Sequence, residues 1–127
     1  LKFFVDNNIS HKLAKMLHAL DCDVMALRDE FPTNVTDEQY LAAIAGRDMV
    51  LLTGDRGMLR RPQELRALKS AGLTVLFLGP FWSKLGFWKQ AEWLVRHWPK
   101  LAGFAAGAAK GTFADVSQGG RCRPFQV

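Results

Sequence analysis

Apolar positions fall in short runs separated by longer stretches in which they recur every three or four residues. The runs predict buried strands at Leu1 to Val5, Asp23 to Leu27, Met49 to Thr53 and Thr74 to Leu78. Between them, Ser10 is placed to cap a helix whose Leu13, Met16, Leu17 and Leu20 share one face. Residues Arg28 to Val35 read as a loop broken by Pro32 and Asn34, after which Thr36 opens a helix to about Ala45. Gln39 stands three residues after Thr36, as in a capping box. After a turn at Gly54 to Gly57, Pro62 suits the first turn of a helix that Gly72 terminates. The alternation of strands and helices predicts an α/β fold in three layers, with a mainly parallel, four-stranded central sheet.

The chain changes character from about Lys84. Phe87, Ala91, Leu94, Trp98 and Leu101 form a helical apolar stripe, and Pro99 is expected to interrupt it. Trp93 falls off that stripe, so Trp93 and Trp82 are the candidates for a partner-facing surface. Ala102 to Ala109 is expected to continue the helix weakly. Thr112 to Val116 and Arg121 to Phe125 flank Gln118-Gly119-Gly120, a pattern for a hairpin or for a tail ordered by a partner.

At 127 residues and 49% hydrophobic, the chain suits one domain with one substantial core. Seventeen Lys and Arg against twelve Asp and Glu give a formal charge of +5, which favours a polyanionic partner. Cys22 and Cys122 are too few and too distant for a zinc site or a redox pair, and the three histidines are isolated. No signal-like start and no run of about 20 apolar residues is present, so a cytoplasmic location is expected.

The chemistry concentrates where strands end. Asp6 follows the first apolar run, and Asp55 follows the third in Thr53-Gly54-Asp55-Arg56-Gly57. In a parallel sheet the ligand crevice lies beyond the carboxyl ends of the strands, so these acids converge there. Asp37 and Glu38 open the central helix, where first-turn acids are also favoured by the helix dipole; spacing does not choose between them. Asp29 is a further candidate, and Asp48, which precedes a strand, is excluded. Asn8 is placed to orient a water or to shape a turn, and Thr53 to hold a carboxylate. Acids gathered in this way repel, and a cation offsets the repulsion. A carboxylate set calls for Mg²⁺ or Mn²⁺, which would lower the pKa of a bound water and neutralise phosphoryl charge. Arg56, Arg60 and Arg61 follow Asp55 as candidate phosphate clamps, or as a solvated basic loop.

Asp6 after an apolar strand, Thr36-Asp37-Glu38-Gln39-Tyr40-Leu41 at a helix start and Leu52-Thr53-Gly54-Asp55-Arg56 together resemble the PIN-domain ribonucleases. More narrowly, the chain is similar to compact PIN-like proteins related to VapC-type toxins of toxin-antitoxin modules, over roughly the first 80 residues. The resemblance implies that Asp6, Asp37 and Asp55 bind the metal, with Thr53 in support. It implies Mg²⁺- or Mn²⁺-dependent endonucleolytic cleavage of RNA, an inhibiting antitoxin, and a homodimer or a toxin-antitoxin hetero-oligomer. The chain departs from the larger PIN enzymes in one respect: after Asp55, residues Arg56 to Ser83 offer only Glu64 as a further acid, inside a predicted helix. A phosphoacceptor receiver domain would need a second acid beside Asp6 and a lysine after the last strand, where Asn7 and Gly79-Pro80 stand. A haloacid-dehalogenase-type phosphatase would need Asp at position 8, which is Asn. The non-enzymatic alternative is a PIN-like scaffold that binds RNA or protein without cutting.

Overall fold

A computed structural model describes residues 2–127; Leu1, the expected start of the first strand, lies outside them. The strands are β1 (Lys2–Val5), β2 (Val24–Ala26), β3 (Met49–Thr53), β4 (Thr74–Leu78), β5 (Phe113–Val116) and β6 (Cys122–Phe125). They form one sheet in the order β2-β1-β3-β4-β5-β6, in which only the β5–β6 pair is antiparallel. The expected mainly parallel sheet is therefore present, and the C-terminal hairpin extends it by two strands. Helices are α1 (His11–Ala19), α2 (Leu27–Glu30), α3 (Asp37–Ile44), α4 (Pro62–Ala71), α5 (Phe81–Lys84) and α6 (Phe87–Gly107).

The pleat divides the core in two. Phe3, Val5, Val50, Leu52, Leu76 and Leu78 point to one face, where Leu13 and Leu17 of α1 and Leu94, Trp98 and Leu101 of α6 cover them. Phe4, Leu51, Val75 and Phe77 point to the other, against Tyr40, Leu41 and Ile44 of α3 and Leu68 of α4. Every residue of β3 and β4 is buried, as a strand covered on both faces requires. Each large side chain so covered contributes about 1.5–3 kcal/mol.

Several local expectations are corrected. β2 ends at Ala26, and a short helix, α2, occupies the start of the expected loop. Leu20 is the C-cap of α1 and is exposed rather than on its buried face. Helix α6 runs unbroken through Pro99. Proline there removes a bond to the carbonyl of Val95, and both residues are exposed, so the loss falls on the solvent face of the helix. Trp82 and Trp93 are buried, not partner-facing. The β5–β6 turn folds over the flank of α6, where Trp93 Nε1 donates to the Gln118 carbonyl at 2.7 Å. The exposed tryptophan is Trp88, 85% accessible.

Candidate active site

Asp6 lies one residue beyond β1 and Thr53 ends β3; Val5 pairs with Leu52, which sets the two side by side at the carboxyl edge of the sheet. Both share the pleat face of Phe4 and Leu51, toward α3 and α4. Thr53 Oγ1 donates to Asp6 Oδ2 at 2.9 Å and accepts from Asn8 Nδ2 at 3.1 Å and from the Asp55 amide at 3.0 Å. That uses its one proton and both lone pairs. Asn8 also donates to Asp6 Oδ1 through its backbone amide, at 3.1 Å, and through its side chain. Its own Oδ1 accepts the Gly54 amide at 2.6 Å, so Asn8 ties the β1 and β3 loops together. A Cβ at Gly54 would stand 3.1 Å from that oxygen, which accounts for glycine there. Burial pushes the Asp6 carboxyl up; the Asn8 and Thr53 bonds oppose this, and the charges of Asp55 and Glu64 add to it.

Exposure separates the helix-opening pair. Thr36 and Gln39 close a reciprocal capping box, with bonds of 3.1 and 2.9 Å that orient the first turn of α3. Asp37 is then half-buried on the inward face, whereas Glu38 is exposed. The Asp37 carboxyl is pushed up to about 6, chiefly by burial, then by the charges of Glu64 and Asp6. Glu64 comes from the first turn of α4, which shares a core with α3 through Leu41, Ile44 and Leu68. It supplies the further acid that sequence spacing left unassigned. Its signal was the pairing of a first-turn acid with Pro62 at a helix start. Asp29, by contrast, is exposed on α2 and acts on His11.

The arginines divide. Arg61 donates from Nη2 to Asp55 at 2.5 Å and from Nε to Glu64 at 2.6 Å. A Cβ at Gly57 would come within 2.9 Å of this guanidinium. Arg56 turns away and holds Asp115 of β5 through bonds of 2.8 and 3.1 Å, with its guanidinium 5.0 Å from the Phe125 ring centre. Arg60 is exposed beside them.

One buried group was not singled out by pattern. Tyr40, one turn after Asp37 on α3, is fully buried, and its hydroxyl has no hydrogen-bond partner among the described residues. Burial and the charges of Asp6, Asp37, Glu64 and Asp55 all raise its pKa. Residues 1–80 match the family described as a PIN like domain. The chain belongs to the PIN-like family.

No curated protein and no solved structure matches the chain. The matched span holds every acid of the cluster, and α6 and the C-terminal hairpin lie beyond it. PIN-like domains are generally nucleases, and this chain has their nuclease-type fold. No helix among the described residues is long and apolar enough to cross a membrane.

The donor set fits a hard divalent cation in composition. Asp6, Asp37, Asp55 and Glu64 are all carboxylates; burial first, then the charges of neighbouring acids, raise the Asp6 and Asp37 carboxyls. Among the described residues, no group of three or more His, Cys, Asp or Glu side chains stands where it could hold a metal ion. In the PIN-like site Arg61 holds Asp55 and Glu64, while Asp6 faces Thr53 and Asn8.

Proposed function

We propose that this PIN-like protein is a metal-dependent endoribonuclease that hydrolyses RNA phosphodiester bonds, and that it is the toxin of a type II toxin-antitoxin pair. The observation carrying this is the convergence of Asp6, Asp37, Asp55 and Glu64, from four separate segments, on one face at the carboxyl edge of β1 and β3. Asp6, Asp37 and Asp55 would hold Mg²⁺ or Mn²⁺, with Glu64 beside them. Such an ion, when bound, would supply water activation and charge neutralisation at the phosphoryl group.

The chain's own residues do the rest. Thr53 and Asn8 fix the Asp6 carboxylate in one orientation. Glu38, next to Asp37 at the mouth, is exposed and adds negative charge there. Arg61, once exchanged from Asp55 and Glu64, clamps a phosphate oxygen together with Arg60. Arg56 acts from a distance by bracing the hairpin through Asp115. The net positive surface draws RNA toward the acids. The antitoxin, or a second copy in a homodimer, would cover the apolar surface of α6 around Trp88 and Val95. Such a toxin works in the cytoplasm.

A PIN-like scaffold that binds RNA without cutting is favoured by one observation, the lodging of Arg61 between Asp55 and Glu64. Expression of the wild type and of Asp6→Asn in a bacterial host, with total RNA analysed, separates the two. Arrest with discrete cuts by the wild type alone supports the nuclease. Intact RNA from both folded proteins leaves the scaffold.

A further inference from the structure

Arg61 stands where the 3₁₀ turn Arg56–Arg60 meets α4, and its backbone is fixed there. Its amide donates to the Met58 carbonyl, and its carbonyl accepts from the Leu65 amide. The side chain, 47% accessible, is held by the ion pairs to Asp55 and Glu64. Rotation of that side chain, with no change of fold, therefore releases the guanidinium. Gly57 makes room for the held position. A Cβ there would lie 2.9 Å from Arg61 Nη1 and 3.0 Å from Asp55 Oδ1, so both partners close over bare backbone. The φ of Gly57 is not positive, so the contact rather than the backbone calls for glycine. Arg61, Asp37 and Glu64 also border one open hollow of about 250 Å³ at the first turns of α3 and α4.

In the held position one guanidinium lies between two carboxylates, so its surroundings are negative on balance. A phosphate approaching it there meets more repulsion than attraction. A divalent cation approaching Asp55 and Glu64 meets the positive charge of Arg61. Each ligand therefore binds better once Arg61 has left the acids, and whichever binds first removes the obstacle for the other.

We propose that Arg61 is a latch that couples phosphate and cation binding: it leaves Asp55 and Glu64 for a phosphodiester and so frees both carboxylates for a divalent cation. That the phosphodiester belongs to an RNA strand rests on the nuclease function proposed above. The coupling is bounded by the cost of freeing Arg61, about two- to fivefold in affinity, the scale of an exposed ion pair. Without a strand, the protein keeps these acids on its own cation.

The test uses the full chain, Mn²⁺ and a 2′-O-methyl oligouridylate hexamer whose length is checked after each titration. Free Mn²⁺ is counted by electron paramagnetic resonance with and without saturating hexamer, and corrected for Mn²⁺ held by the hexamer alone. Gly57→Ala keeps Arg61 but crowds its held position. The expected result is that hexamer tightens Mn²⁺ binding by about two- to fivefold more in the wild type than in Gly57→Ala. Without hexamer, Gly57→Ala binds Mn²⁺ tighter than the wild type by the same factor. Direct attraction between cation and phosphate would instead survive the substitution unchanged. In ¹⁵N spectra, hexamer or Mg²⁺ shifts the Arg61 Nε–H resonance, which is assigned by its loss in Arg61→Gln. If Gly57→Ala fails to fold, Arg61→Gln takes its place and shows the same loss of coupling. Coupling absent from the wild type, or equal in the wild type and a folded variant, overturns the latch. Coupling with cellular RNA left intact keeps the latch and removes the nuclease function; cleavage without coupling does the reverse.

Discussion

Arg61 stands 2.5 Å from Asp55, and the same guanidinium reaches Glu64 at 2.6 Å. One organic cation thus bridges two carboxylates of a cluster whose composition suits a metal. Divalent metal and Arg61 compete for these oxygens. Arg61→Gln is expected to bind Mn²⁺ roughly two- to fivefold more tightly, the scale of one exposed ion pair. Its metal-free form is expected to melt lower. Thermal melts across a Mn²⁺ titration measure both, and equal or weaker Mn²⁺ binding would show that Arg61 is not a competitor.

The Asp37 carboxyl, pushed up to about 6 from an ordinary 3.8, makes metal-free stability depend on pH. Between those values the folded protein holds a proton that the unfolded chain has lost, so stability rises as pH falls through about 6 and levels off near the ordinary value. Above about 6 Asp37 is ionised beside Glu64, and the repulsion is fully felt. Melting temperature in EDTA is expected to increase from pH 7 to pH 5. Asp37→Asn should flatten that slope and melt higher at pH 7; a slope unchanged by the substitution would assign the titration elsewhere.

Thr53 is fully buried and makes three hydrogen bonds, one of them to Asp6. Thr53→Val keeps the shape and removes all three. Urea denaturation is expected to show a loss of about 1–3 kcal/mol, since Asn8 and the Asp55 amide lose an acceptor. RNA cleavage should fall well beyond what the change in folded fraction explains, because Asp6 loses the bond that orients it. Equal losses in the two measurements would make Thr53 purely structural.

Gly120 holds the β5–β6 turn against α6 with φ +81°, and a Cβ would sit 2.7 Å from His97 Nδ1. Gly120→Ala combines a left-handed backbone with a clash and is expected to cost about 2 kcal/mol or more. Hydrogen exchange should accelerate first in β5, β6 and around Trp93, whose indole bonds the adjacent Gln118. Uniform acceleration across the sheet would show that the hairpin does not open separately.

The order of elements, the parallel sheet core and the positions of Asp6 and Asp55 at strand ends were legible in the chain. Each depends on short-range periodicity and on the rule that a strand's carboxyl end faces the crevice. The cap at Thr36 was legible for the same local reason, since Gln39 answers it three residues later.

What sequence left open was decided by contacts between distant segments. Asp37 rather than Glu38 faces the cluster because α3 packs on α4, and that packing also brings Glu64 to Asp37. Trp93 was read as a surface residue because its cover, the β5–β6 turn, comes from a later part of the chain. Arg56 and Arg61, alike in the sequence, part company because Asp115 lies on one side of the turn and Asp55 with Glu64 on the other. Local pattern determined which elements form and where their acids lie along the chain. Tertiary packing alone determined which of those charges meet, because Coulomb interaction and desolvation depend on distance and burial in the folded molecule.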